Sequence, residues 1–194
     1  MDFELTDEQE LIRDAVGKLC SDYPDEYWSK KDKDHEFPWD FYNDMAKAGW
    51  LGIAIPEAYG GSGQGITEAS IVLETVAASG AAMNGATPLH LSIFGMEPVI
   101  KFGSEEMKQK YLPQVARGDL HVAFGVTEPD AGTDTSSITT FARLEGDQYI
   151  VKGRKVWTTK ALQSERVLLL VRTTPKDEVE KRTDGLTLLF AELQ

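Results

Sequence analysis

The chain has 194 residues, of which 41% are apolar, enough to form one or two small domains with a buried core. Its 20 basic and 32 acidic side chains give a net charge of −12, which argues against binding to duplex nucleic acid or to an anionic membrane surface. Short apolar runs, an acidic N-terminus and a single cysteine predict no membrane span, no export signal, no internal disulfide and a cytoplasmic location.

The first predicted helix begins with a capping box in which Thr6 is the N-cap and Gln9 lies three residues later. The apolar side chains that fall on one face at helical spacing are Leu5, Leu11, Ile12, Ala15, Val16, Leu19 and Cys20. Because Cys20 lies on this stripe, we interpret it as a core residue and not as a nucleophile. The charged stretch 29–35 is predicted to be an exposed loop.

Further helices are predicted from apolar periodicity and from the positions of glycine and proline. The first spans 38–50, with Trp39, Phe41, Met45 and Ala46 facing inward. Another spans 67–79 and ends at Gly80, whereas 53–63 is a glycine-rich break. Thr87 and Pro88 are predicted to begin the next helix, Gly95 and Pro98 to divide it, and a last helix to span 104–112.

The pattern changes near residue 118, where helical periodicity gives way to strands. Residues 1–118 carry 10 basic and 20 acidic side chains, and residues 119–194 carry 10 and 12. Strand-length runs occupy 121–127, 138–144, 148–151, 155–159, 166–172 and 186–192, with a hairpin turn at 145–147 and a charged loop at 173–185. We predict an α+β fold, with a helical domain over 1–118 and a small β-barrel or sandwich domain over 119–194.

Several kinds of catalytic or binding site find no support in the sequence. The three histidines are far apart, which predicts no metal site, and no serine lies in a nucleophile elbow. The glycines of 60–63 are not framed by a strand, a helix and a lysine, so they indicate a surface loop and not a phosphate loop.

Two short stretches of the β domain carry the most chemical information. The first, 123–134, is a strand that leads into a turn, which can present backbone N–H groups and the hydroxyls of Thr127 and Thr133 to one ligand. The second, 156–159, places Trp157 beside two threonines, so that an indole can lie against a flat ring. The chemistry of these residues leaves open the alternative of a decorated turn and a core tryptophan.

These stretches resemble the acyl-CoA dehydrogenase family. Thr127-Glu128-Pro129-x-Ala131-Gly132-Thr133-Asp134 is similar to its Thr-Glu-Pro-x-Ala-Gly-Ser-Asp signature, and Gly153-x-Lys155-x-Trp157-x-Thr159 to its second flavin motif. Three other stretches match in order: Leu5-Thr6-Asp7-Glu8-Gln9, Ile55-Pro56-Glu57-x-Tyr59-Gly60-Gly61 and Lys108-x-Lys110-Tyr111-Leu112-Pro113. The five matches cover nearly the whole chain.

The resemblance implies that the chain binds FAD. The implied cofactor contacts are Phe124, Val126, Thr127, Thr133, Trp157, Thr158 and Thr159. Thr127 would bond the pyrimidine edge of the flavin, Trp157 would cover the ring, and Thr159 would approach N5. Thr133, which replaces the usual serine, would contact the FAD pyrophosphate or the pantetheine of the substrate.

The resemblance also implies a reaction in which an acyl-CoA is oxidised to a trans-2-enoyl-CoA in fatty acid β-oxidation. The electrons would leave through an electron-transfer flavoprotein, and the intact enzyme would be a homotetramer. In the family the catalytic glutamate lies in a C-terminal helical domain, so we expect the base beyond Gln194 and a truncated, inactive front half here. Glu128 and Asp134 are predicted to organise the turn and not to act as the base.

One departure and one alternative remain open. Lys160 follows Thr159 where the family more often has asparagine, which adds a cation near the cofactor. The alternative function is a non-catalytic partner subunit, or a module that binds acyl-CoA or FAD in a heteromeric dehydrogenase. The codons after Gln194 distinguish the two, because an in-frame helical continuation favours a fragment and a stop codon favours a partner.

Overall fold

The computed structural model describes residues 4–193, which form two compact units: one up to Leu120 and the other from His121 onward. The first unit is helical and the second is a small mixed sheet, which confirms the α+β class with its helical part first. The helices of the first unit are α1 (Asp7–Cys20), α2 (Asp25–Asp34), α3 (Trp39–Lys47), α4 (Ile66–Val76), α5 (Ala82–Ile93), α6 (Glu97–Phe102) and α7 (Glu105–Ala116).

The start of α1 and much of its inner face are as predicted. The Thr6 hydroxyl accepts the Gln9 N–H at 3.3 Å, and the Gln9 side chain accepts the Thr6 N–H at 3.1 Å. The buried stripe is narrower than predicted, with Ile12, Val16 and Cys20 in the core. Leu11 is 70% exposed and Ala15 is exposed, so both assignments were wrong.

The predicted loop at 29–35 was wrong, because α2 continues through Asp34. This helix is anchored by Trp28, which is 4% exposed and packs edge-on against Phe41 with ring centroids 5.0 Å apart. The Trp28 indole N–H also donates to the Tyr23 carbonyl at 3.0 Å. No proline or glycine interrupts the charged turn that follows, so the anchored helix carries its lysines and aspartates into solvent.

The inner face of α3 buries Phe41, Tyr42 and Met45, whereas Trp39 is 42% exposed and was wrongly placed inward. Pro88 was also misplaced, because it lies inside α5 and not at its start. The chain between α4 and α5 continues through a π-helical turn at 77–81, where Gly80 has φ of +95° and kinks the axis. The last helix likewise continues past Pro113 to Ala116.

The helical stretch Ile66–Phe102 is long and apolar enough to count as a candidate membrane span. It is kinked at Gly80, and its side chains Ile71, Val72 and Val76 belong to the core of the helical unit. A core helix of a soluble protein passes the same test of length and hydropathy, so this evidence for a span is weak.

The sheet unit is built around its fourth strand. The strands are β1 (Val122–Gly125), β2 (Phe141–Glu145), β3 (Gln148–Lys152), β4 (Arg166–Arg172) and β5 (Leu186–Glu192). Strand β4 pairs antiparallel with β5 along its whole length and in parallel with β1 over residues 166–169. Its last residue, Arg172, also pairs in parallel with Phe141 of β2. Strands β2 and β3 form the predicted hairpin, with Gly146 in the left-handed region at φ +63°.

The predicted strand at 155–159 was wrong, because this stretch forms only an isolated bridge between Thr159 and Phe124. Trp157 and Lys160 both have left-handed backbone, at φ +57° and +61°. A residue with positive φ cannot continue an extended strand, so the segment turns at both positions.

Candidate functional site

The two stretches singled out in the sequence lie side by side. The Val156 N–H donates to the Thr127 carbonyl at 2.9 Å, and Phe124 bridges Thr159. Between them is an open groove of about 640 Å³, whose walls include Thr127, the turn 128–132, Arg154, Val156 and Trp157. Of the predicted cofactor contacts, Thr127 and Trp157 line this groove. The others do not line it: Phe124, Val126, Thr133, Thr158 and Thr159.

A buried ion pair joins the two stretches. Lys155 Nζ lies 2.9 Å from Glu128 Oε1 and also donates to the Val126 carbonyl at 2.9 Å. Only 8% of the lysine side chain and 5% of the glutamate side chain are exposed. The family motif includes Lys155, but sequence reasoning had given it no role, because its partner is 27 positions away in the chain.

The Glu128 carboxylate is saturated with donors from its own unit. Besides Lys155, it accepts the Thr139 N–H at 2.7 Å, the Thr139 hydroxyl at 2.8 Å and the Thr140 N–H at 2.9 Å. Burial alone would raise the pKa of Glu128, but hydrogen bonds from Thr140, Thr139 and Lys155 outweigh it and lower the pKa to about 2. Glu128 therefore organises the turn and is poorly suited to take a proton.

The turn itself is closed by backbone bonds and leaves donors at its far end. Glu128 and Ala131 exchange N–H···O=C bonds of 2.9 and 3.2 Å. Among residues 4–193, the backbone N–H groups of Gly132, Thr133 and Asp134 have no acceptor, and no atom lies within 4 Å of where a Cβ on Gly132 would stand. An anionic or carbonyl-bearing ligand has room to accept these hydrogen bonds.

Asp134, a carboxylate just beyond the turn, is also engaged. It accepts the Ser136 hydroxyl at 2.5 Å, the Ser137 hydroxyl at 2.7 Å and the Arg182 guanidinium at 2.5 Å. These hydrogen bonds, with those of the serines strongest, hold the pKa of Asp134 well below its usual range. Glu128 and Asp134 thus both organise local structure, as the sequence analysis predicted.

The tryptophan of the second motif is exposed. Trp157 is 86% exposed and Phe124 is 38% exposed, so the alternative of a core tryptophan is wrong. The Trp157 backbone is in the left-handed region, at φ +57°, and the surface of its ring is open to solvent. The remaining predicted residues, Val126, Thr158 and Thr159, are half-buried beside it, whereas Thr133 is exposed.

Two basic side chains, Lys160 and His121, are buried in the sheet unit. Lys160 is only 7% exposed, and burial lowers its pKa to about 8, opposed by the charge of Glu165. Burial and the Lys160 charge lower the pKa of His121 to about 4, while its backbone N–H donates to the Glu165 carboxylate at 2.9 Å. Among the residues that the structure describes, no group of histidine, cysteine or acidic side chains could hold a metal ion.

The stability of the wild type to unfolding is expected to rise at high pH, and replacing Lys160 with methionine is expected to remove this rise. The unfolded chain keeps the lysine proton up to its ordinary pKa of 10.5, whereas the folded chain releases it from about pH 8. The wild type should therefore gain stability relative to K160M between pH 8 and 10.5, by about 1–3 kcal/mol. Urea unfolding at pH 7.5 and 10.5 measures this difference, and the exposed Lys152→Met serves as the control. Equal pH dependence in K160M and wild type would contradict the prediction.

Comparison with known proteins covers both units. The acyl-CoA dehydrogenase N-terminal domain family matches residues 6–119, and the acyl-CoA dehydrogenase middle domain family matches residues 123–193. An acyl-CoA dehydrogenase of Mycobacterium tuberculosis, FadE12, is 37% identical over 174 residues, which is 87% of this chain and 43% of that protein.

Two solved structures are similar over almost the whole chain. The glutaryl-coenzyme A dehydrogenase–glutaryl-CoA complex matches with a TM-score of 0.89 and 28% identity, over 99% of this chain and 48% of that one. A chain from a structure described as the electron transferring flavoprotein of Acidaminococcus fermentans matches with a TM-score of 0.88 and 32% identity, over 100% and 50%. The chain thus spans about half the length of the proteins it matches.

Proposed function

The chain belongs to the acyl-CoA dehydrogenase family, and from this membership we propose that it serves FAD-dependent oxidation of an acyl-CoA thioester between Cα and Cβ. The observation that carries the proposal is the groove where the two motifs meet. Trp157 lies exposed on one wall, and the turn 128–132 lies on the other. Residues 1–118 would form the helical domain and residues 119–194 the flavin-binding β domain.

The residues of the groove and those next to them in the chain suit the chemistry of FAD. An exposed indole at Trp157 and the partly exposed ring of Phe124 can cover a flat ring system. We assign the edge of that ring to Thr127, its reactive face to Thr158 and Thr159, and a packing contact to Val126. Thr133, beside N–H groups with no acceptor in residues 4–193, would bond the pyrophosphate or the pantetheine.

FAD, when bound, would accept the β-hydride of the acyl-CoA while the α-proton leaves to a base, which gives a trans-2-enoyl-CoA. The chain's own part is to hold the site: Lys155 and Glu128 fix the two motifs together, and Trp157 covers the ring and excludes water. Since Glu128 and Asp134 are both saturated with donors, neither suits the role of base. We propose that the base lies outside these 194 residues, which is in keeping with relatives of about twice the length.

We further propose an electron-transfer flavoprotein as the electron acceptor and a homo-oligomer for the whole enzyme, with fatty acid β-oxidation in the cytoplasm as the setting. The similarity to a chain of a structure described as an electron transferring flavoprotein supports the first point. FadE12 and the glutaryl-coenzyme A dehydrogenase carry dehydrogenase names and give no support to a non-catalytic partner subunit.

An anaerobic titration followed by visible absorption tests the proposal. When FAD is added to the purified chain, the visible absorption band of the flavin is expected to shift and sharpen, because the flavin leaves water for an apolar site. Acyl-CoA added next is expected to leave the band unbleached in the 194-residue chain and to bleach it in a protein that carries the base. A spectrum identical to that of free FAD at every protein concentration would contradict flavin binding by these residues, and bleaching in the 194-residue chain would place a base within it.

A further inference from the structure

The charged loop 173–185 is held to the sheet by a buried arginine. Arg172, the last residue of β4, is 3% exposed. Its guanidinium donates to four backbone carbonyls, those of Ser136 (2.6 Å), Arg182 (2.8 Å), Ile138 (3.1 Å) and Asp184 (3.3 Å). Because a buried guanidinium is costly unless its donors are satisfied, this geometry fixes both backbones that it touches.

A second arginine completes the connection from the opposite direction. The Arg182 guanidinium lies 2.5 Å from the Asp134 carboxylate and 2.5 Å from the Ser137 hydroxyl. The backbone carbonyl of Arg182 is one of the acceptors of Arg172. Arg182 is therefore bound by the last residue of β4 and itself binds residues 134 and 137. The loop is therefore joined to residues 134–138 through both side chain and backbone.

Two sets of bonds hold the groove and the segment that follows it in the chain. The ion pair of Lys155 and Glu128 holds the part of the groove that carries Val156 and Trp157. The two arginines hold residues 134–138, which directly follow Thr133 and its backbone N–H. The two sets share no side chain, although both bind the segment 138–140.

From this arrangement we propose that Arg172 and Arg182 are positioning residues, which fasten the loop 173–185 to residues 134–138 and so fix the backbone N–H groups of Thr133 and Asp134 for the phosphate-bearing end of the ligand. The assignment rests on the proposed function, because the ligand is taken to be FAD. Neither arginine needs to touch the ligand, and neither lines the groove that carries Trp157.

Arg182 can be tested without risk to the core, because 59% of its side chain is exposed. Hydrogen exchange of the free protein is the first readout. The amides of Ser137 and Ile138 donate to the carbonyls of Asp134 and Thr135. Both are expected to exchange about tenfold faster in Arg182→Ala. Arg172→Lys, which keeps the charge but not the planar fork, should change the same amides.

Ligand titration is the second readout. Arg182→Ala is expected to weaken FAD binding about fivefold to tenfold and to leave riboflavin, which lacks phosphate, unchanged. Arg182→Lys should recover part of the FAD affinity. The matched control is Lys181→Ala in the same loop, an exposed lysine whose side chain forms no hydrogen bond with any of residues 4–193.

Each result has a distinct meaning. Unchanged exchange at Ser137 and Ile138 in Arg182→Ala would overturn the positioning role, and equal losses for FAD and riboflavin would overturn its assignment to the phosphate end. Faster exchange in a chain whose wild type binds neither flavin would overturn the proposed function, while the link between the loop and the turn would stand.

Discussion

Replacing Glu128 with glutamine is expected to destabilise the sheet unit by about 3–5 kcal/mol, because it removes one partner of a buried ion pair. Lys155 is 8% exposed and would lose its only carboxylate among the described residues. The glutamine also retains one acceptor oxygen where the carboxylate has two, although four donors converge there. Hydrogen exchange of the β4 amides measures the unfolding free energy of this unit directly.

Asp130→Asn is the matched control for Glu128→Gln. Asp130 lies in the same turn, is exposed and forms no hydrogen bond with the described residues, so its substitution should change stability by less than about 0.5 kcal/mol. Adding Lys155→Met to the glutamine variant should recover part of the loss, since the uncompensated cation is removed. Equal stability of the Asp130 and Glu128 variants would contradict this account.

The same carboxylate predicts an acid dependence of stability. Its pKa falls from 4.5 to about 2 on folding, so its contribution is fully present above pH 4.5 and is lost as the pH falls through 2. In Glu128→Gln this part of the acid dependence should disappear.

Replacing Trp157 with alanine is expected to raise the dissociation constant for FAD about 10- to 100-fold, because aromatic stacking contributes about 1–3 kcal/mol per stacked ring. The folded protein should lose little stability, since the side chain is 86% exposed and buries little apolar surface. Quenching of flavin fluorescence during a titration measures the affinity, and urea unfolding measures the stability.

The control for Trp157→Ala is Leu162→Ala. Leu162 is 95% exposed and lies five residues beyond Trp157 in the same unit, so it tests whether loss of any exposed apolar side chain is enough. Trp157→Phe should keep most of the affinity, because a smaller ring still covers the flavin. Should Trp157→Ala bind FAD as tightly as the leucine variant, the groove would not be the flavin site.

Local signals in the sequence were sufficient where neighbouring residues decide the structure. The capping box at Thr6 and the hairpin at Gly146 are examples, because every bond they need comes from residues a few positions away. The predictions for Leu11 and for 29–35 failed because packing decided them. Which apolar side chains of α1 are buried depends on where α4 lies, and α2 persists because Trp28 is anchored by the distant Phe41.

The candidate site shows the same division. Sequence reasoning found both motif stretches and the turn-forming role of Glu128 and Asp134, since these follow from residue types in short order. It could not find Lys155 as the partner of Glu128, or Arg172 as the clamp on residues 136–138, because these pairs are separated by 27 to 36 positions. At the false strand 155–159, β-branched residues favour extension, but left-handed backbone at Trp157 and Lys160 interrupts it.

The parallel pairing of β1 with β4 also sets the order in which the sheet unit folds. The β2–β3 hairpin closes a two-residue turn, whereas β1 meets β4 between His121 and Glu165, which are 44 positions apart. Closing the longer loop costs more chain entropy, so this pairing is expected to form late and to limit the folding rate. Both motifs lie inside that loop, and the groove therefore comes into being only when the slowest contact forms. Flavin is expected to be captured after the sheet has folded and not to guide its folding.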